Sequence, residues 1–370
     1  MLYQLTCQKW LEQLTKKELQ KLGYKCNAAT TSVYIDAPES AMAQINLWSR
    51  YGNKLYLIIW EEETTTFDAL FDAITAIDRT KYHIPLAPIT FSIVSYESVL
   101  TSIPTLQSIT QKAIFSQLQK AYSSSGNLEF DEKTDKLEVR ILLQNNKATI
   151  MVNTSGDSLH KRGYRSASGT APLNECIAAA IIHMTDWKYR NLFLDPCCGS
   201  GTIAIEAAMI AKKIAPWLKR KFMFENWSWY DSRYLKDAKL FAESIIIKDK
   251  SYEIYASDID MEVLNIAKEN AKIAGVADMI TWIHKDIIHR KENSLLKSDY
   301  SIISNPPYGS RMWDDEELGT LYQTLIELGN KSACSSIITA FTGIEKYVNR
   351  NWDWTYINNG GLDCRIYTIK

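Results

Sequence analysis

The chain has 370 residues, enough for two or three domains. Its 46% hydrophobic and 23% charged residues are those of an ordinary globular protein, and no apolar run is long enough to cross a bilayer as a helix. A net charge of −1 excludes recognition of nucleic acid through bulk basicity, so any such contact must come from local patches. Met1 to Lys9 lacks the basic start and apolar core of a secretory signal, so the cytoplasm is the expected location. The seven cysteines form no C-x-x-C pair and the five histidines show no ligand spacing, so neither a disulfide framework nor a metal site is expected.

Residues 1–62 read as a small α/β unit. Met1 to Cys7 alternates like a strand, and Lys9 to Leu22 carries apolar residues at helical spacing up to Gly23. Ser32–Asp36 and Lys54–Trp60 are further strands, with a helix from Ser40 to Trp48 between them; the order suits a ferredoxin-like sheet. Residues 63–156 repeat this grammar without repeating the sequence. Helices are expected over Phe67–Ile77 and Pro104–Tyr122, and strands over Ile89–Val94, Leu137–Leu142 and Lys147–Asn153, the last two joined by an Asn145-Asn146 turn. Ser123 to Gly126 reads as an exposed loop. Lys112, Lys120, Lys133 and Lys136 are candidate phosphate contacts, although solvated surface lysines account for each singly.

The third region, 157–370, opens on the basic segment His160-Lys161-Arg162-Gly163-Tyr164-Arg165. Lys161, Arg162, Tyr164 and Arg165 are candidates to grip an RNA backbone or base; a charged linker is the alternative reading. Ala171 to Glu175 then opens an apolar helix running to Met184, with Pro172 in its first turn. Lys212 to Asp237 mixes lysines with Trp227, Trp229, Tyr230 and Tyr234, which suits phosphate contact and base stacking. An insertion that packs its aromatics on a sheet explains most of them equally well.

Two motifs carry chemistry. The first is Asp195-Pro196-Cys197-Cys198-Gly199-Ser200-Gly201-Thr202, set between the apolar Leu192–Leu194 and a helix-like run from Ile203 to Ala211. Gly199 and Gly201 permit positive φ and close approach of a ligand. No third glycine completes a dinucleotide fingerprint and no lysine completes a P-loop. An acid before the turn suits an ammonium group, as in the amino-acid tail of S-adenosylmethionine. On this reading Asp195, Cys197, Gly199, Ser200, Gly201 and Thr202 line the cofactor. Asp258, at the end of the strand Glu253–Ser257, would accept from both ribose hydroxyls, with Ile259 beside it. Asp286, after the strand Ile280–Ile283, would accept from the adenine amino group, while Asp260 and Asp286 are also placed to cap helices.

The second motif is Asn305-Pro306-Pro307-Tyr308-Gly309, directly after the strand Tyr300–Ser304. It suits methylation of a planar amino group. The Asn305 side-chain oxygen and the Pro306 carbonyl would accept the amino hydrogens and stabilise positive charge growing on nitrogen, Pro307 fixes the backbone, and Tyr308 would stack on the base. Strands at Ser335–Phe341, Trp354–Asn358 and Cys364–Ile369 close the sheet, the last two as a hairpin.

Taken together, the segments His160–Arg165, Ala171–Glu175, Asp195–Thr202, Ser257–Asp260 and Asn305–Gly309 resemble the THUMP-domain class I RNA methyltransferases, in particular the RlmL/YpsC-like 23S rRNA guanine-N2 group. The likeness spans nearly the whole chain. Cys197 departs from it, standing where many relatives carry an aromatic residue. The resemblance implies an α/β fold: a ferredoxin-like subdomain over 1–62, an RNA-binding THUMP domain over 63–156, and a Rossmann-like methyltransferase domain over 157–370. It implies S-adenosyl-L-methionine as cofactor, RNA as partner with 23S rRNA first among candidates, and no membrane. It also implies that Thr170, Pro172 and Leu173 border the cofactor. An adenine-N6 DNA methyltransferase, a protein-glutamine methyltransferase and a non-catalytic ribosome-assembly factor are the competing readings.

Overall fold

The computed structural model describes residues 1–77, 89–125, 137–165, 173–187, 192–227, 229–249, 252–288, 299–308 and 315–369. Thr170, Pro172, Lys133, Lys136 and Gly309 lie outside the described residues.

The first half builds one seven-stranded sheet from β1 (Leu2–Cys7), β2 (Lys25–Ala29), β3 (Ser32–Asp36), β4 (Gly52–Glu63), β5 (Ile89–Tyr96), β6 (Leu137–Gln144) and β7 (Lys147–Asn153). Their order is β2-β3-β1-β4-β7-β6-β5. β4 is the hinge of this arrangement. Its first residues pair with β1, and Tyr56 to Glu63 pair with β7, so the ferredoxin-like strands and those after them share one sheet. Asn145 and Asn146 adopt φ of 52° and 62°, the left-handed pair that a two-residue hairpin needs. The helix Phe67–Ala76 starts at Thr66, whose hydroxyl accepts from Ala69 N.

Three local expectations are corrected. β2 is a strand that sequence pattern misses, because Lys25–Ala29 is polar and buries only Cys26; its pairing with β3 alone makes it an edge. Ser123 to Ser125 continue the helix Ile103–Ser125, since a helix already nucleated gains a hydrogen bond with each residue added. The helix read from Ala171 begins at Glu175, because the Asn174 side chain accepts from Cys176 N and caps it there.

The second half builds another seven-stranded sheet from β8 (Leu192–Asp195), β9 (Ile254–Asp258), β10 (Ile280–His284), β11 (Tyr300–Ser304), β12 (Cys334–Thr339), β13 (Asp353–Asn359) and β14 (Leu362–Ile369). The order is β10-β9-β8-β11-β12-β14-β13. β8 to β12 run parallel to one another, whereas β14 is antiparallel to both β12 and β13. β8 leads to β9 and β10 on one side and to β11 and β12 on the other. The crevice at that reversal, above the C-terminal ends of β8, β9 and β11, is where an open parallel sheet holds its ligand.

The aromatic insertion after the helix Thr202–Ala211 does not cover this second sheet. Trp217, Phe222, Phe224, Trp227 and Tyr230, with Leu235 and Ala238 of the helix Ser232–Ser244, join the apolar core of the first sheet. Arg220 stacks on Trp217 at 4.6 Å and donates to the carbonyls of Ser155 and Asp157. These buried aromatics thus bind the two halves together, and of the four rings singled out in the sequence only Tyr234 is exposed.

Candidate active site

Three neighbouring strands end in the residues that matter. β8 ends at Asp195 and β9 at Asp258, while β11 runs straight into Asn305. Parallel pairing of β8 with both neighbours brings these three side chains to one edge of the sheet.

The turn after Asp195 is fastened to β9. Cys198 N donates to the Ser257 carbonyl at 2.9 Å and Gly199 N to Asp258 Oδ2 at 2.8 Å. Asn270 Nδ2 holds the Ser200 carbonyl at 3.1 Å. Gly201 has φ of 85°, and a Cβ there would lie 2.9 Å from Trp282 Cη2 and 3.0 Å from Ala267 Cβ. Only glycine fits, both for conformation and for space. The following helix, Thr202–Ala211, starts directly at Gly201, so its first N–H groups have no partner within the helix.

Asp195 is fully buried, yet neither carboxylate oxygen has a hydrogen-bond partner. Burial, and then the charge of Asp258, hold its carboxyl well above the usual range; the Cys197 amide and the Ser304 hydroxyl pull it down from beyond hydrogen-bond geometry. A buried, unpaired carboxyl is costly, and a cationic ligand removes that cost. Asp258 accepts from Gly199 N and from Asp260 N at 3.1 Å, which leaves each oxygen a lone pair for a ribose hydroxyl. Burial raises its pKa too. These groups fit S-adenosylmethionine: an acid for the ammonium, an acid for the ribose, and a glycine where the backbone must come close. The thiols of Cys197 and Cys198 are pushed up by burial and by the two aspartates, so both stay protonated.

Ile259 is 52% exposed beside Asp258, with its carbonyl 2.9 Å from His284 Nε2, a neighbour that no sequence pattern singles out. Asp260 caps the helix Met261–Ala274 through Glu262 N and Val263 N. Asp286 accepts from Ile288 N at 2.9 Å and sits past the end of β10, two strands from Asp195.

On the β11 side, Asn305 Oδ1 is buried without a partner, and so is the hydroxyl of Ser304 just before it. Tyr308 packs against the core of the second half, and its hydroxyl lies 3.5 Å from Asn359 Nδ2 at the tip of the closing hairpin. Burial keeps that hydroxyl protonated. An unpaired amide oxygen and an unpaired carboxyl thus lie at the ends of adjacent strands.

The linker residues are not where an RNA grip would need them. Arg162 is 7% and Tyr164 3% exposed. Arg162 Nε bonds Glu206 Oε1 at 3.2 Å, and its other nitrogens donate to the carbonyls of Leu159 and Arg50 at 2.6 Å. Tyr164 OH donates to the same Glu206 oxygen. Arg165 Nη2 donates to the Leu173 carbonyl and to Thr202 Oγ1, and pairs with Glu175. These three residues brace the cofactor helix from behind, because a charged group this deep must meet a partner. Only Lys161 stays exposed. Leu173 is buried in the core of the second half rather than lining an open surface.

Comparison with known proteins agrees with this geometry. Residues 162–367 match the family UPF0020, described as RMKL-like, methyltransferase domain, and residues 3–56 match the RlmL ferredoxin-like domain. YpsC of Bacillus subtilis (strain 168), named as an RNA methyltransferase, is 35% identical over 315 residues, covering 85% of this chain and 81% of its own. Ribosomal RNA large subunit methyltransferase K/L of Buchnera aphidicola subsp. Acyrthosiphon pisum (strain APS) is 33% identical over 95% of this chain, which spans 52% of that longer protein. The crystal structure of SMU.472, named as a methyltransferase complexed with SAH, superposes with a TM-score of 0.88 at 32% identity, covering 100% of this chain and 97% of that one. The chain belongs to the UPF0020 family of RMKL-like methyltransferases, and its cofactor is S-adenosylmethionine.

Proposed function

We propose that this protein methylates the exocyclic N2 of a guanine in 23S rRNA, in the cytoplasm. The observation that carries the reading is Asn305 Oδ1, buried and unpartnered at the tip of β11 beside the equally unpartnered Asp195. The names of the YpsC and K/L relatives support RNA, and ribosomal RNA, as the substrate class.

S-adenosylmethionine supplies an electrophilic methyl group on a sulfonium. The Asp195 carboxylate would hold the ammonium end and Asp258 the ribose, with the glycine turn giving the backbone room to approach. The guanine amino nitrogen is a weak nucleophile because its lone pair is delocalised into the ring. Asn305 Oδ1 and the Pro306 carbonyl accept its two hydrogens. They draw the nitrogen towards a tetrahedral shape and stabilise the positive charge that grows as it is methylated. Tyr308 stacks on the base and aims it. A base within structured RNA has to leave its stack to arrive there. On this reading residues 1–62 and 63–156 form the ferredoxin-like and THUMP parts that hold RNA, residues 157–370 carry the chemistry, and Lys161 is the linker residue left free to meet phosphate.

The test is a transfer assay with rRNA from cells lacking the gene, followed by digestion to nucleosides and mass spectrometry. N2-methylguanosine is expected. N6-methyladenosine would overturn the base while leaving the mechanism in place. Asn305→Ala should lower transfer by about a hundredfold or more, as for loss of one such donor or acceptor, with cofactor affinity unchanged. Undiminished transfer in that variant rules out the role given to Asn305.

A further inference from the structure

We infer that Tyr322 is a positioning residue for the catalytic loop, fixing the Pro306-Pro307-Tyr308 backbone from below. The inference rests on the reading above for what that loop does, and on geometry for how it is fixed.

Consider what can hold such a loop. Each proline ring fixes its own φ near −65°, and neither proline has an N–H. The soft torsions left between Asn305 and Tyr308 are therefore chiefly ψ angles, and a proline can be anchored by hydrogen bonding only through its carbonyl. Tyr322, 0% exposed on the helix Asp315–Gly329, places its hydroxyl 3.1 Å from the Pro307 carbonyl. The same hydroxyl contacts Thr339 Oγ1 at the end of β12.

Proton counting sets the direction of this chain. A carbonyl can only accept, so Tyr322 spends its one proton on Pro307. Thr339 must then donate to the Tyr322 oxygen, and Thr339 Oγ1 in turn accepts from Phe341 N at 2.9 Å. The order is Phe341 N–H, Thr339 O–H, Tyr322 O–H, Pro307 carbonyl. Every proton along it is donated, and it ties the catalytic loop to the end of the neighbouring strand. The ring is clamped against Phe341, with centroids 4.8 Å apart. Burial raises the Tyr322 pKa further still, so it remains a donor at any working pH. Pinning the Pro307 carbonyl fixes the peptide that leads into Tyr308, and with it the angle between the Pro306 carbonyl and the stacking ring.

The test is Tyr322→Phe, which keeps the ring and removes the hydroxyl. Three readouts separate positioning from mere support. First, kcat for RNA falls by roughly ten- to a hundredfold, the scale at which misplacing a reacting group acts, while KM and cofactor affinity change less than about twofold. Second, Thr339→Val, which breaks the chain one link further away, loses much less kcat for a similar loss of thermal stability. Third, hydrogen exchange at the amides of Asn305 and Tyr308, the only N–H groups in the Asn305–Tyr308 stretch, accelerates in Tyr322→Phe without substrate present. Unchanged exchange together with unchanged kcat overturns the inference, as does a kcat loss that tracks thermal stability equally in both variants. If the wild-type protein transfers no methyl group to RNA yet exchange still accelerates, the brace stands and the proposed substrate falls.

Discussion

Two buried acids sit eleven residues apart on one turn-and-helix unit, and they are used in opposite ways. Asp195 and Glu206 are both 0% exposed. Glu206 is met by its own chain on both sides: Arg162 and Tyr164 bond one oxygen, and the other has no hydrogen bond but faces the Arg50 guanidinium at 3.6 Å. Asp195 has no hydrogen-bond partner at either oxygen. The first arrangement is finished by folding. Among the described residues the second has neither a hydrogen bond nor a cation at either oxygen, and on the proposed reading a ligand completes it. The difference teaches that burial of a charge does not mark a candidate site; a buried carboxyl with no partner of any kind does.

The largest way to break this comparison is to strip Glu206. Arg162→Met removes its shortest cationic partner and leaves the buried carboxylate only Tyr164 and the more distant Arg50. Such a loss costs about 3–5 kcal/mol of stability. Chemical denaturation should show it, and cofactor affinity of the remaining folded protein should hardly move. A loss under about 1 kcal/mol, the scale of an exposed pair, would mean that Glu206 is not buried as described.

Asp195→Asn inverts that pattern. The substitution removes an uncompensated carboxyl, so the cofactor-free protein should be as stable as wild type or more so. Cofactor affinity should fall by about ten- to a hundredfold, the value of one hydrogen bond to a charged group. Calorimetric titration with S-adenosylmethionine checks both statements against Arg162→Met. Equal affinity in wild type and Asp195→Asn would remove Asp195 from the cofactor site.

How far this contrast is legible in sequence depends on distance along the chain. Asp195 announces itself locally, by an apolar strand, an acid and two glycines. Asp258 and Asn305 do so likewise, since each follows a strand within a few residues. Arg162 and Tyr164 mislead because their partners are remote: Glu206 lies 44 and 42 residues away and the Arg50 carbonyl 112. A basic-aromatic segment looks the same whether it faces RNA or a buried glutamate. The aromatic insertion misleads for the same reason, as its partners are on the first sheet. Tyr322 is invisible because a helix position that faces a core reads as packing, and nothing nearby in sequence shows that its hydroxyl meets Pro307. The fold was more readable than the site's supports, because strand alternation and helical spacing are local while buried ion pairs are not.

A smaller effect sharpens the comparison through pH. An aspartate titrates at about 3.9 in an unfolded chain, and Asp195 well above its usual value when folded. Between those two values the folded state binds the extra proton. The stability this group contributes is therefore full below about pH 4 and is lost as pH rises through the folded pKa. S-adenosylmethionine needs the ionised carboxyl, so its binding releases a proton in that window and strengthens as pH rises. Calorimetry in buffers of different ionisation enthalpy should detect the release in wild type and not in Asp195→Asn. The thermal midpoint without cofactor should fall less steeply in the variant as pH rises above about 4. Parallel profiles would show that the buried acid is already ionised.

The smallest effect lies in the turn that joins the two acids. Gly199 and Gly201 both have positive φ, 52° and 85°. A methyl at Gly199 meets nothing within 4 Å, whereas one at Gly201 runs into Trp282 and Ala267. Gly199→Ala should therefore cost only the left-handed backbone, about 1–2 kcal/mol, and leave the turn in shape. Gly201→Ala adds a steric clash to the same strain and must push Trp282 or the helix Met261–Ala274 aside. Because Gly201 precedes the helix that carries Glu206, its displacement should loosen both acids at once, lowering stability and cofactor affinity together. Gly199→Ala should lower stability alone, because the turn keeps its shape and the N–H at that position still holds Asp258. If the two variants behaved alike, the crowding at Gly201 would not be what sets the spacing between the acid that folding completes and the acid that the cofactor completes.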